Sequence, residues 1–525
     1  MIRSYLLVLA FAFFSAALEA QHELGVFDNH LDVGNPKREG SAQYQDGDQT
    51  YMLWGSGYNI WFNRDEFQFA YKKIAGDFIL TADFDFGGDT AGSIGHRKTG
   101  WMIRESTDAD AAGLNACKHI DGLMAMQWRD LRGAYMRDPQ GEIFFAKKGG
   151  QTIQLERIGK TITMRVAHPG EPLQDVGSHE MPDLPDTVLA GIYVCAHDPE
   201  QMAEARVWNL RIDKPVANAY YPNPITARAN PPSRAVLGSR LEILDVSSGL
   251  RKIVYESTKH FEAPNWMPGG QKLLFNEEGS LYTISLNGGN PEKLNTGSVN
   301  HNNNDHAISF DGKMLGISSH RQGLPGGGST VYVLPLSGGE PRLITESTPS
   351  YLHGWNPNGR ELAVVGQRNG SRIYNLYAVS IKDGKKDGKE IALTQNSSGH
   401  VDGSEYSPDG KYIYYNANVS GTMQIWRMRT DGSGKEQLTF DQYHNWFPHL
   451  SPDGKWIAFV SYPGDIDPDS HPSYKRLMIR LMPVGLGAPK VIAYLYGGQG
   501  TLNAPSWSPD SRSISFVSYS SPEPQ

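Results

Sequence analysis

One five-residue turn recurs six times in the second half of the chain. It reads Trp266-Met-Pro-Gly-Gly270, Ile308-Ser-Phe-Asp-Gly312, Trp355-Asn-Pro-Asn-Gly359, Tyr406-Ser-Pro-Asp-Gly410, Leu450-Ser-Pro-Asp-Gly454 and Trp507-Ser-Pro-Asp-Ser511. Successive copies lie 42–57 residues apart, the spacing of propeller blades rather than of helical solenoids. Each is followed by an alternating apolar run such as Lys455-Trp-Ile-Ala-Phe-Val460, the period-two pattern of a half-buried strand. Later Asp-Gly and Gly-Gly pairs supply the positive-φ positions of hairpins. Radial repetition fixes the architecture and directs attention to the mouth of the central channel, where the blades converge.

The last unit stops near Ser520 with its inner strands alone, whereas Arg240-Leu-Glu-Ile-Leu-Asp245 and Lys252-Ile-Val-Tyr255 supply outer-strand material. Joining the two ends completes a sixth blade and removes the free edges. Residues 240–520 are therefore expected to form a six-bladed β-propeller.

The preceding part lacks the turn. It carries alternating runs such as Phe78-Ile-Leu-Thr-Ala-Asp-Phe-Asp-Phe86 and no long helical periodicity, so an antiparallel sandwich is expected. Its segments, including Gly100-Trp-Met-Ile-Arg-Glu-Ser106, Met126-Gln-Trp-Arg129 and Ile153-Gln-Leu-Glu-Arg-Ile-Gly159, resemble concanavalin-like jelly-roll modules of bacterial carbohydrate-active proteins. The resemblance covers most of residues 25–214 and implies glycan contact by analogy. Between the two parts, residues 215–239 are rich in Pro, Ala and Asn, a semi-rigid linker. The chain is thus expected to be all-β: a concanavalin-like sandwich over 21–214, then the propeller.

Residues 1–20 join Arg3, an apolar run and small residues up to Ala20, the pattern of a secretory signal cleaved near Ala20/Gln21. The expected location is periplasmic or secreted. The rest has no apolar run of spanning length. A net charge of −8 gives no electrostatic footprint for nucleic acid and argues against an anionic membrane surface. Export permits a disulfide between Cys117 and Cys195, the two cysteines of the chain; two buried thiols fit equally well.

The second half resembles TolB-type propellers, whose blades carry the same Pro-x-Trp-Ser-Pro-Asp-Gly-Lys pattern. It departs from a plain repeat just before each turn. Ala-Pro-x-Trp survives as Ala263-Pro-Asn-Trp266 and Ala504-Pro-Ser-Trp507; elsewhere Asn304-Asp-His306, Tyr351-Leu-His353, His400-Val-Asp-Gly-Ser-Glu405 and His444-Asn-Trp-Phe-Pro-His449 intervene. Superposed blades bring such residues to one mouth, where His, Asp, Glu and Asn suit a metal or an acid/base site. A repeated structural imidazole should recur at one equivalent position. Here His306 and His353 share the usual Pro position, but His449 lies one residue beyond it and His400 and His444 several before it, an irregularity that favours a specific site over a repeated strut.

The candidate metal ligands are His306, His353, His444 and His449, for a divalent ion such as manganese or calcium. Candidate acid/base groups are His320, His400 and Glu405, with Arg321 beside His320 as a carboxylate clamp. Asn304, Asp305, Asp402 and Asn503 are candidate substrate contacts. The stretch 462–474, with Asp465, Asp467, Asp469 and His471, reads as a calcium loop or, more commonly, a solvated loop.

Three functions compete. A poly- or oligosaccharide binder follows from the sandwich resemblance and the polar mouth. A metal-dependent lyase follows from a distant resemblance to oligogalacturonate lyase propellers, in which a divalent ion offsets the substrate carboxylate while a base removes the neighbouring proton. An envelope protein-interaction scaffold follows from the TolB resemblance. The chain has no Gly-x-Ser-x-Gly elbow and no His-Glu-x-x-His.

Overall fold

A computed structural model describes residues 24–521 except 89, 91, 94, 137–141, 217–236, 322, 325–327, 396–397 and 486. The signal segment 1–20 and most of the 215–239 linker lie outside the described residues. The chain divides into two compact units, Met1–Lys214 and Pro215–Gln525.

In the first unit two seven-stranded antiparallel sheets share one core. Phe78–Gly87 lies between Thr152–Ile158 and Ala203–Asp213 in one sheet, with Leu80 opposite Leu155 and Phe84 opposite Val207. Thr187–Cys195 lies between Phe67–Ala75 and Lys98–Arg104 in the other. Alternation sends Leu80, Phe84, Leu155 and Val207 to meet Trp101, Ile103 and Ile192, all fully buried. Trp101 donates its indole N–H to the Ile153 carbonyl of the facing sheet at 3.1 Å, which satisfies the one polar atom of a buried ring. Cys117 and Cys195 are both buried and unbonded.

The second unit is a six-bladed propeller. Five blades are antiparallel sheets of four or five strands, and the sixth is closed by the chain ends. Gly238–Asp245 pairs with Ser513–Ser520 over its whole length, so neither strand is left as a free edge. The Arg251–Glu242 ion pair, at 2.9 Å and almost wholly buried, sits in this closing sheet.

The recurring turn has a local cause. In four blades a Ser hydroxyl donates to the Asp two residues on, at 2.6–2.7 Å. The same carboxylate accepts the backbone N–H of the residue two further along, at 3.1 Å. Side-chain oxygen thus replaces the backbone partner that a tight turn lacks. The closing Gly410 and Gly454 each stand at φ 70°, where a Cβ is strained. The aromatic residue opening the turn reaches the preceding blade: the Trp355 and Trp507 indole N–H groups donate to the Ala307 and His449 carbonyls, each at 2.9 Å. Ring burial and a hydrogen bond coincide at these two turns, whereas Trp266 is buried with its indole N–H unpaired.

Candidate functional site

The inner strands of the first five blades are Phe261–Trp266, Asn302–Ile308, Ser350–Trp355, Val401–Tyr406 and His444–Leu450. Each breaks register with its neighbour just before the turn, between Glu262 and Asn265, Asn302 and His306, Leu352 and Gly354, Asp402 and Glu405, and Trp446 and His449. Such a bulge re-aims the side chains on either side of it. Ala263, Gly403 and Phe447, each three residues before its turn, take φ values of 54–56° there.

The bulges bring one column of the repeat to the mouth. Glu262, Asn304, Tyr351, Asp402, Trp446 and Asn503 each stand four residues before a turn. All six line one cavity of about 270 Å³. Asp305, His320, His353, His400, Tyr374 and Phe447 line it too, and the 462–474 insertion contributes Asp469 and His471.

An alternating chain of carboxylates and imidazoles runs through the cavity. His353 Nδ1 lies 3.9 Å from Asp305 Oδ1, and its Nε2 lies 2.8 Å from Asp402 Oδ1. The second contact is an ion pair by distance, with the carboxylate off the N–H direction. Asp402 Oδ2 is 3.7 Å from His471 Nε2. Burial pushes Asp305 up to about 7, with His353 opposing and Asp402 and Glu262 reinforcing the rise. Burial disfavours the charged His353, yet Asp305 and Asp402 together hold its pKa above the usual imidazole value. Burial works against Asp402 ionising, and His353 and His471 overcome it to bring that carboxyl below its usual range. His471 is lowered by burial, partly offset by Asp402. The chain thus favours the ionised form of Asp402 and the protonated form of His353 beside an Asp305 raised to about 7, a set suited to giving or taking a proton.

Aromatic faces close the rest. His471 packs edge-on against Trp446 at 4.5 Å and Phe447 at 5.2 Å between centroids. Tyr374 lies 6.1 Å from Tyr351 and 5.5 Å from His400. Asn304 is 3% exposed, and its amide Nδ2 has no hydrogen-bond partner within the protein. A buried amide donor of this kind calls for an acceptor from outside the chain.

The other residues singled out in the sequence lie elsewhere. Glu405 and His449 pair with each other: Glu405 Oε2 is 2.7 Å from His449 Nδ1, and Glu405 Oε1 accepts the Leu450 N–H at 3.2 Å. His449 Nε2 is 2.8 Å from the Leu502 carbonyl. A carbonyl only accepts, so Nε2 carries a proton, and Nδ1 is taken up by Glu405, which leaves neither ring nitrogen open to a metal. His444 Nδ1 accepts the Met423 N–H at 3.3 Å. His306 is enclosed, and burial pushes its pKa down to about 4. Arg321 is exposed and is not among the residues lining the cavity. Of the four expected metal ligands, His353 alone lines the cavity. Among the described residues no three His, Cys, Asp or Glu side chains are placed to hold a metal ion. The four imidazoles do not fit a shared manganese or calcium site.

Glu262, Tyr351 and Trp446 were absent from the sequence candidates. Aligning the six repeats on the turn exposes them, because their column is polar or aromatic in every blade. Asp469 is fixed by the Asn418 amide, whose Oδ1 accepts the His400 N–H at 2.6 Å. The loop they belong to is therefore pinned to the mouth.

Fold and cavity together define a closed six-bladed propeller with a polar, aromatic-walled pocket at one end of its channel. Comparison with known proteins gives the family. The TolB beta propeller domain family, PD40, matches residues 348–467. An uncharacterised protein of Agrobacterium fabrum is 43% identical over 282 residues, 54% of this chain and 92% of that protein. A solved Agrobacterium tumefaciens protein, provisionally described as TolB, is 42% identical, covering 54% of this chain and 98% of its own, with a TM-score of 0.50. The Tol-Pal system protein TolB of Anaeromyxobacter dehalogenans is 31% identical over 20% of this chain and 22% of its own length. The chain belongs to the TolB-like β-propeller family. An oligogalacturonate lyase solved with manganese aligns at 14% identity and a TM-score of 0.37, over 54% of this chain, a likeness too distant to speak to activity. Among the described residues no helix is long and apolar enough to cross a membrane.

Proposed function

We propose that the protein is an exported saccharide-binding propeller whose ligand sits in the channel-mouth cavity. One observation carries the reading: every blade contributes the residue four before its turn to that cavity, and the column combines amides, carboxylates and aromatic faces. Ring faces stack on sugar carbon–hydrogen surfaces, while Asn and Asp satisfy hydroxyls, the mix of apolar wall and few oriented polar groups that small-molecule sites use. The partnerless Asn304 Nδ2 supports it. The N-terminal sandwich is read as a concanavalin-like module adding glycan contact, and residues 1–20 as the export signal.

The test is calorimetry of the secreted chain with a panel of neutral, amine-bearing and acidic oligosaccharides. Trp446→Ala is measured beside it. Binding of at least one sugar, weakened roughly tenfold or more by loss of the indole face, is the expected result. Silence across the panel overturns the reading. A second reading, an envelope protein-interaction scaffold, is favoured by the relative named as a Tol-Pal system protein. Silence toward sugars combined with stoichiometric capture of a purified envelope protein by the propeller supports it.

A further inference from the structure

The cavity's charge carries a conclusion about what kind of sugar it takes. Four carboxylates line it: Glu262, Asp305, Asp402 and Asp469. Among the described lining residues none is Lys or Arg. The opposing groups are imidazoles. His353 is shared between Asp305 and Asp402. His471 lies within ion-pair distance of Asp402 and is held toward its neutral form by burial. His320 and His400 also line the cavity, and Glu262 accepts the Asn276 amide. Among the described lining residues no permanently charged cation faces the four acids in this partly enclosed space, where unpaired charge is costly.

The same walls carry the rings of Tyr351, Tyr374, Trp446 and Phe447. Aromatic faces attract cations through the negative ring quadrupole, so acids and rings favour the same ligand charge. An anionic sugar meets the reverse: its carboxylate approaches Asp402 and Asp469 with no guanidinium or ammonium among the described lining residues to receive it. Arg321, the clamp expected from sequence, is outside that lining. Asn304, 97% buried by the complement of its 3% exposure, keeps a free N–H donor. A hydroxyl oxygen on the same ligand answers it.

We infer that the ligand is an amino sugar, a hydroxylated ring bearing a cationic nitrogen that the Asp402–Asp469 side of the cavity receives. This rests on the saccharide reading above and narrows it. The inference also opposes the uronate substrate that a lyase of the oligogalacturonate type would take.

The experiment uses the full exported chain at pH 7 and three disaccharides: glucosamine, N-acetylglucosamine and galacturonate dimers. Calorimetry and ligand-observed NMR report binding. The glucosamine dimer is expected to bind about tenfold or more tighter than the acetylated one, whose nitrogen is uncharged, and the galacturonate dimer weakest. Asp402→Asn and Asp469→Asn, each checked for an unchanged melting curve, are expected to erase that preference while the acetylated dimer still binds. Should Asp402→Asn fail to fold, Asp469→Asn decides alone. Binding of the neutral or acidic dimer as tight as the amine, or a preference that survives both substitutions, overturns the inference and leaves the saccharide reading standing. Failure of all three dimers to bind overturns the inference, and silence across the whole oligosaccharide panel overturns the saccharide reading with it.

Discussion

Two clusters of carboxylate and imidazole are built on the same inner strands, and they differ in what they leave unfinished. The Glu405–His449 pair lies one residue before its turns. Both ring nitrogens and both carboxylate oxygens have partners within the chain, and the pair holds the fourth and fifth blades together across 44 residues of sequence. In the Asp305–His353–Asp402–His471 chain, Asp305 and His353 lie within the bulges, Asp402 at the edge of one, and His471 on the 462–474 insertion. The contacts along this series are longer or misaligned, at 3.9, 2.8 and 3.7 Å, and the series faces a cavity. The same side-chain chemistry therefore makes a strut where it is saturated and a site where it is not. A displacement of a few residues along the strand decides which.

The largest effect should come from breaking the strut. His449→Ala leaves both the buried Glu405 carboxyl and the Leu502 carbonyl without their imidazole partner, and each buried polar group left unsatisfied costs about 1–3 kcal/mol. Urea unfolding should show a loss of that order. A melting midpoint within a degree of wild type would contradict the assignment of structural work to this pair. Asp402→Asn, on the open side of the comparison, should shift the midpoint far less and affect ligand affinity instead.

Next in size is a pH effect at His306. Its folded pKa of about 4 lies below the ordinary 6.5. The unfolded chain therefore takes up a proton first as pH falls, and the stability present above 6.5 is lost between 6.5 and 4. At pH 5 the loss is about 2 kcal/mol, from roughly 1.5 pH units at 1.36 kcal/mol each. His306→Leu should remove that part of the difference between unfolding free energies at pH 7 and pH 5.

The mouth should show the opposite sign. Asp305 is raised from 3.8 to about 7, so the folded state holds a proton the unfolded state has released. Stability on this account is greatest below about 4 and declines as pH rises toward 7. His353, also raised, contributes stability below its unfolded pKa that is lost as pH rises through its folded value. Asp305→Asn should flatten the decline across neutral pH, measured by unfolding free energy from pH 5 to 8. A steeper slope in the variant would reverse the sign argued here.

The smallest effect belongs to the repeat itself. Asp409→Ala removes an acceptor shared by the Ser407 hydroxyl and the Lys411 N–H, at a cost of about 1 kcal/mol, with ligand affinity unchanged.

The blades and their closure could be read from the sequence because they rest on local chemistry repeated many times. Ser407, Asp409 and Gly410 make their turn with one another. The strand after each turn alternates, and the outer-strand material at Gly238–Asp245 had one place to go. The mouth was legible in kind, since polar residues crowd the approach to the turns. It was not legible residue by residue. His306 and His353 both stand two before their turns, yet one is enclosed and the other lines the cavity, because their neighbours in adjacent blades differ. The Glu405–His449 partnership joins two repeats and leaves no trace in either. The bulges shift which column faces inward, so attention to histidines passed over Glu262, Tyr351 and Trp446. Asp469 and His471 arrive from an insertion whose path depends on the Asn418 amide.

On this reading a bound sugar sits within the column of residues four before the turn. The most direct measurement is a crystal structure of the full chain soaked with the glucosamine dimer at a concentration that calorimetry shows to be saturating. A sugar ring is expected against Trp446 with its nitrogen near Asp402. A dimer bound outside the propeller mouth, with the cavity holding solvent alone, would contradict it.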